Sequence, residues 1–119
     1  MGKIEAHLKV DFDDFVREID EAVSAGSMTA TMEDQSEIVF DGVRCQTMVY
    51  ERYAYMGGNR SSLSIVIFGK GDDVYISAIA SGGSTGLIFK INTWSENSFL
   101  ATISDIVDKY KIEESKKTE

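Results

Sequence analysis

Ser81-Gly82-Gly83-Ser84-Thr85-Gly86 is the stretch of this chain whose residue types are best suited to hold a ligand. Three glycines in six residues let a backbone turn its N–H groups toward an anion, and the hydroxyls of Ser81, Ser84 and Thr85 can add to them. Positive charge for such a site has to come from elsewhere, and Arg52, Arg60 and Lys90 are the candidates. The stretch fails the stricter signatures. A dinucleotide loop needs a helix directly after its glycines, and the run 87–93 reads as a strand. A P-loop needs Gly-Lys-Ser or Gly-Lys-Thr, and no lysine stands inside the stretch. The competing explanation is a hairpin connection between the apolar runs 74–81 and 87–93, with glycine supplying positive φ. A hairpin connection is the preferred reading, with an anion-binding loop as the alternative.

The other chemical candidates are weaker. Tyr50, Glu51, Arg52, Tyr53 and Tyr55, with Asn59 and Arg60, could clamp a carboxylate or phosphate. The same types are favoured in strands and at protein contacts, and a contact or structural role is preferred. His7 is the only histidine, which excludes multi-histidine zinc sites. Its place on the polar side of an alternating run, between Glu5 and Lys9, reads as a solvated surface residue. Cys45 has no histidine near it in sequence and reads as a buried structural thiol. Asp11, Asp13, Asp14, Glu18, Asp20 and Glu21 lack the spacing of a calcium loop and read as a solvated helix face. No catalytic residues, no metal site and no cofactor are assigned.

The composition is that of one globular domain: 119 residues, 43% hydrophobic and 27% charged. A single cysteine allows no intrachain disulfide, which fits a reducing compartment. A net charge of −8 disfavours nucleic acid and anionic membranes as partners. No run approaches the roughly 20 apolar residues of a membrane span. The expectation is a soluble, cytoplasmic protein. Proline is absent, so glycine, asparagine and aspartate must make the turns.

The elements that must position these residues follow from periodicity. Residues 3–10 alternate, with Ile4, Ala6, Leu8 and Val10 on one side, which predicts a strand whose place in the sheet is open. Phe12, Phe15, Val16, Ile19, Ala22 and Val23 predict a helix over 11–25, with Asp11 as N-cap and Gly26 as its stop. Strands are predicted at 27–32, 37–40, 43–56, 62–68, 74–81 and 87–93, with a turn at 33–36 and a primed hairpin turn at Asp41-Gly42. Ser95 caps a second predicted helix, whose stripe is Phe99, Ile103, Ile106, Val107 and Tyr110. The charged residues 113–119 carry no period and are expected to be frayed.

The expected fold is a two-layer α+β domain over residues 1–112. A mostly antiparallel sheet of six to seven strands carries both helices on one face. The opposite face is expected to hold Phe68, Tyr75, Ile79, Ile88 and Trp94 as interface residues. Beside them stand Val66, Arg44, Arg52, Ser64, Ser77, Lys90 and Asn92. A face open to water should be more polar than that. A non-catalytic domain that forms a homodimer or binds a partner through this face is therefore the leading reading. A binder of an unidentified small anion comes second, and an enzyme last.

Gly26-Ser27-Met28-Thr29-Ala30, Val43-Arg44-Cys45, Val49-Tyr50-Glu51-Arg52-Tyr53, Gly57-Gly58-Asn59-Arg60, Ser81-Gly82-Gly83-Ser84 and Phe89-Lys90-Ile91-Asn92-Thr93 together resemble a small uncharacterised bacterial family of unknown function. The likeness covers nearly the whole chain. It implies a compact bacterial cytoplasmic domain and transfers no activity, ligand or catalytic residue.

Overall fold

The computed structural model describes residues 2–26, 29–53, 60–82 and 89–112, with side chains described from residue 99 in the last segment. The element order is β1 (Gly2–Lys9), α1 (Phe12–Gly26), β2 (Thr31–Phe40), β3 (Val43–Tyr53), β4 (Arg60–Lys70), β5 (Asp73–Gly82) and α2 (Phe89–Tyr110). All five strands form one antiparallel sheet in the order β1-β5-β4-β3-β2. The N-terminal strand thus lies at an edge beside β5.

Local chemistry sets the element ends. The Asp14 amide donates to the Asp11 carboxylate at 3.1 Å, so Asp11 caps α1 as its side chain allows. Asp41 and Gly42 both take positive φ, 56° and 81°, as a type I′ turn between β2 and β3 requires. Gly71 leads the two-residue turn between β4 and β5 at φ 62°. Gly69 is required for a different reason: a Cβ there would stand 2.3 Å from the Asp73 carbonyl oxygen.

Alternation along the strands then divides the sheet into two faces. One carries Leu8, Met48, Tyr50, Leu63, Ile65, Ile67, Val74, Ile76, Ala78 and Ala80, all at most 2% exposed. Phe12, Phe15, Ile19 and Val23 of α1 and Phe99, Leu100, Ile103 and Val107 of α2 complete this core. Polar bonds fix both helices to the same side. The Tyr50 hydroxyl donates to Asp20 of α1 at 2.7 Å, and burial together with that carboxylate pushes the phenol's pKa upward. Arg44 of β3 reaches Asp13 of α1 at 2.9 Å and Glu37 of β2 at 2.7 Å, with its guanidinium over the Phe12 ring. Arg52 lies over the Phe99 ring of α2 at 4.4 Å. Glu18 of α1 accepts from the Tyr110 hydroxyl at 2.6 Å and from Lys109 at 3.3 Å, which ties the helices together.

The structure corrects several expectations. Among the described residues the sheet has five strands, not six or seven. Residues 31–32 of the predicted strand 27–32 and the whole predicted strand 37–40 belong to one strand, β2, and the predicted turn at 33–36 is a bulge between Met32 and Asp34 within it. A bulge breaks alternation without ending pairing, which is why it reads as a turn. The predicted strand 87–93 is also lost, because residues 89–93 belong to α2 and Ser95 lies inside that helix rather than at its cap. A short apolar run carries no period that separates a strand from a helix. Arg44 and Arg52 face the helices rather than the open side.

Two outcomes test this packing. Gly69→Ala should cost about 1–3 kcal/mol by overpacking against the Asp73 backbone. Urea unfolding with an unchanged midpoint would refute the close approach. Tyr110 and Lys109 hold the Glu18 pKa below its usual 4.5, Tyr110 contributing most. A carboxyl depressed in the folded state adds stability above its unfolded value, and that stability is lost as pH falls through the folded value. The melting temperature of wild type should therefore fall more steeply than that of Tyr110→Phe between about pH 5 and pH 3.

Candidate functional site

The face away from the helices is built in rows, because antiparallel pairing sets each residue beside a fixed neighbour on the next strand. One row runs His7, Tyr75, Phe68, Cys45, Ile38 across all five strands. The next runs Glu5, Ser77, Val66, Thr47, Ser36, and a third Lys3, Ile79, Ser64, Val49, Asp34. Ser81, Ser62 and Glu51 continue toward the far end, with the Ser62 and Ser81 hydroxyls 2.9 Å apart.

Aromatic stacking orders the first row. The His7 and Tyr75 rings lie 4.1 Å apart and 2° from parallel, and Tyr75 and Phe68 lie 5.3 Å apart at 10°. His7 Nε2 also pairs with the Asp73 carboxylate. His7 is thus half-buried and held from two sides, where the sequence reads it as a solvated residue. Its cross-strand neighbours Tyr75 and Asp73 are 66 or more positions away, and the alternation of 3–10 carries no sign of them.

The centre of this face is Thr47, Val49, Ser64, Val66, Phe68, Tyr75, Ser77 and Ile79, and none of these carries charge. Phe68 is 39%, Tyr75 40% and Ile79 39% exposed. Charged residues stand around it: Lys3 and Glu5 on β1, Asp34 on β2 and Glu51 on β3. Beyond the helices' reach, the β2–β3 hairpin exposes Ile38, Val39 and Phe40 at 65%, 60% and 80%.

The sequence-selected residues fall as follows. Phe68, Tyr75 and Ile79 share the open face as expected. Ile88 lies outside the described residues, and Trp94 stands in α2 rather than in the sheet. Ser81 and Gly82 end β5, and Gly83, Ser84 and Thr85 lie outside the described residues. Lys90 also belongs to α2. The glycine stretch therefore begins at the end of β5, and the next described element is α2. Arg52 and Arg60 lie on opposite faces of the sheet. Arg52 packs on Phe99 of α2, and burial lowers its pKa. Arg60 pairs with Glu51 and lies over the Tyr53 ring. The sheet separates these two cations, so they do not converge on one anion.

Cys45 and His7 share a row but stand three strand spacings apart, about 14 Å. That is too far for one to activate the other. Among the described residues no three His, Cys, Asp or Glu side chains gather as metal ligands. A cleft of about 270 Å³ runs along β1, with Lys3 and Glu5 on one wall and Asp108 and Lys111 on the other. Its charges alternate in sign. No described helix is long and apolar enough to cross a membrane.

These features define a small two-layer α+β domain whose antiparallel sheet has helices on one face and an aromatic row on the other. Residues 1–111 match the family described as a family of unknown function, DUF6054, and the chain belongs to it. A comparison with curated proteins finds no match.

The difference between the two faces is measurable. Ile67→Ala should cost about 2–5 kcal/mol, whereas Phe68→Ser on the other face should cost less than about 1.5 kcal/mol. Equal losses in urea unfolding would mean that Phe68 is as buried as Ile67.

Proposed function

We propose that the chain is a non-catalytic module that assembles with another protein chain through the open sheet face, centred on Phe68, Tyr75 and Ile79. The observation that carries this reading is the uncharged, part-apolar centre ringed by Lys3, Glu5, Asp34 and Glu51. Depletion of charge at the centre, aromatic enrichment and a polar rim are the compositional marks of a protein interface. An antiparallel sheet face meant for water would alternate into polar side chains instead. A free thiol at Cys45 supports a reducing, cytoplasmic setting for such a module.

Sedimentation velocity over about 1–200 µM, a range that spans weak to moderate affinity, tests the reading. The expected result is an assembly that Phe68→Asp weakens strongly while the melting temperature stays within a few degrees of wild type. An assembly that survives Phe68→Asp unchanged would sink the reading.

A further inference from the structure

Resting on that reading, we infer that the occupant of the open face is a second copy of this chain, packed face to face about a two-fold axis that runs nearly along β4, about 15° from it. Two sheets packed in this way keep their strands nearly aligned, about 30° apart. The axis preserves position along the strands and reverses their order. Each β4 then lies over the partner's β4, β5 over the partner's β3, and β1 over the partner's β2. Every cross-strand row meets its own reverse.

Charge selects this axis. In the third row Lys3 stands at one end and Asp34 at the other. Reversal brings Lys3 over the partner's Asp34, and the symmetry makes the contact twice. Glu5 meets the partner's Ser36, and Glu51 meets the partner's Ser81. The other in-plane axis, across the strands, would lay β1 over the partner's β1. It would set Glu5 against its own copy, which like-charge repulsion disfavours, and would leave Lys3 without the partner's Asp34. In the aromatic row Phe68 meets its own copy on the axis, and His7 meets the partner's Ile38, covering a residue that is otherwise 65% exposed.

The dimensions fit. Five strands spaced about 4.8 Å and eight residues rising about 3.4 Å each give a face of roughly 600 Å². Two such faces bury about 1,200 Å², the lower end for specific interfaces. A crossing of about 30° offsets the Lys3 and Asp34 positions by about 5 Å, which the four-carbon lysine stem can span. The same crossing carries the two Lys70 ends of β4 about 7 Å apart, so the axis does not force them together.

The test is a charge swap read by sedimentation equilibrium on the full chain. Lys3→Asp alone and Asp34→Lys alone each turn two attractions into two repulsions and should raise the dimer dissociation constant about tenfold. The double variant carrying both should return to within about threefold of wild type. Melting curves of all variants at low concentration check that the monomer is intact. A dimer that loses affinity with Phe68→Asp but ignores both charge reversals overturns this arrangement and leaves the docking reading standing. A dimer indifferent to Phe68→Asp removes the docking reading itself. A wild-type chain that stays monomeric throughout overturns the second-copy occupant and leaves the face to a different protein chain.

Discussion

Central strand β4 is hydrogen-bonded on both sides, to β3 and to β5, and its side chains alternate strictly. Leu63, Ile65 and Ile67 point to the helices and are fully buried. Ser62, Ser64, Val66 and Phe68 point the other way. A slip of one residue in either pairing would exchange those sets and send a phenylalanine and three small polar or branched residues into a core built for leucine and isoleucine. The two turns resist such a slip. Asp41-Gly42 and Gly71-Asp72 each fix a two-residue hairpin, and the close approach of Asp73 to Gly69 leaves no room for a side chain in a shifted register. The open face takes its geometry from this alternation. The aromatic row exists because His7, Tyr75 and Phe68 fall on one parity in three paired strands.

The helices cover the sheet unequally. The buried face of β1, β5, β4 and the adjoining half of β3 is packed by α1 and α2, whereas β2 is exposed along almost its whole length. Met32 packs against the core at one end of β2, and towards the other end the hold on the layer above is polar: Arg44 spans from Glu37 to Asp13 and draws the edge hairpin toward α1. The carboxylates on either side push the guanidinium's pKa upward, and Arg44 in turn holds the Asp13 carboxyl below its usual value. An exposed edge strand invites pairing with other chains, and charge along the edge is one defence against it. Glu33, Asp34 and Glu37 provide that charge through the middle of β2. The defence stops at Ile38, Val39 and Phe40, so contact is discouraged along one part of the hairpin and open along another.

Much of this was legible in the residues themselves. Asp11 caps α1 because a short carboxylate before an apolar 3.6 period does so wherever the period is real. Asp41-Gly42 makes a primed turn because aspartate and glycine are the residues that tolerate positive φ. The strands β3, β4 and β5 were readable from alternation between such turns. The failures share one cause, which is that the deciding partner is distant in sequence. Residues 89–93 are apolar and β-branched enough for a strand, and only tertiary context puts them in a helix. Parity could place Arg52 and Arg60 on opposite faces only once the pairing of Tyr53 with Arg60 fixed the register across residues 54–59. His7 reads as a surface residue until β1 is set beside β5. Ser81–Gly82 looks like the start of a loop, and becomes the end of a strand when Ser62 supplies its partner.

The stacked row bears on how a partner would be held. An interface residue that must be immobilised on binding costs about 0.5–1.5 kcal/mol in lost rotamer freedom. His7, Tyr75 and Phe68 are already ordered: each ring is flanked by a neighbour, and Asp73 fixes the imidazole at the end of the row. Their exposed edges are therefore presented in one arrangement before any contact forms. Aromatic groups held in this way combine large area with little entropy to lose, which is why such residues concentrate at the centres of protein contacts. On this face the ordering comes from strand pairing, ring stacking and the Asp73 contact to His7. It needs no covering layer, and so the same residues that complete the sheet's outer surface can remain available to another chain.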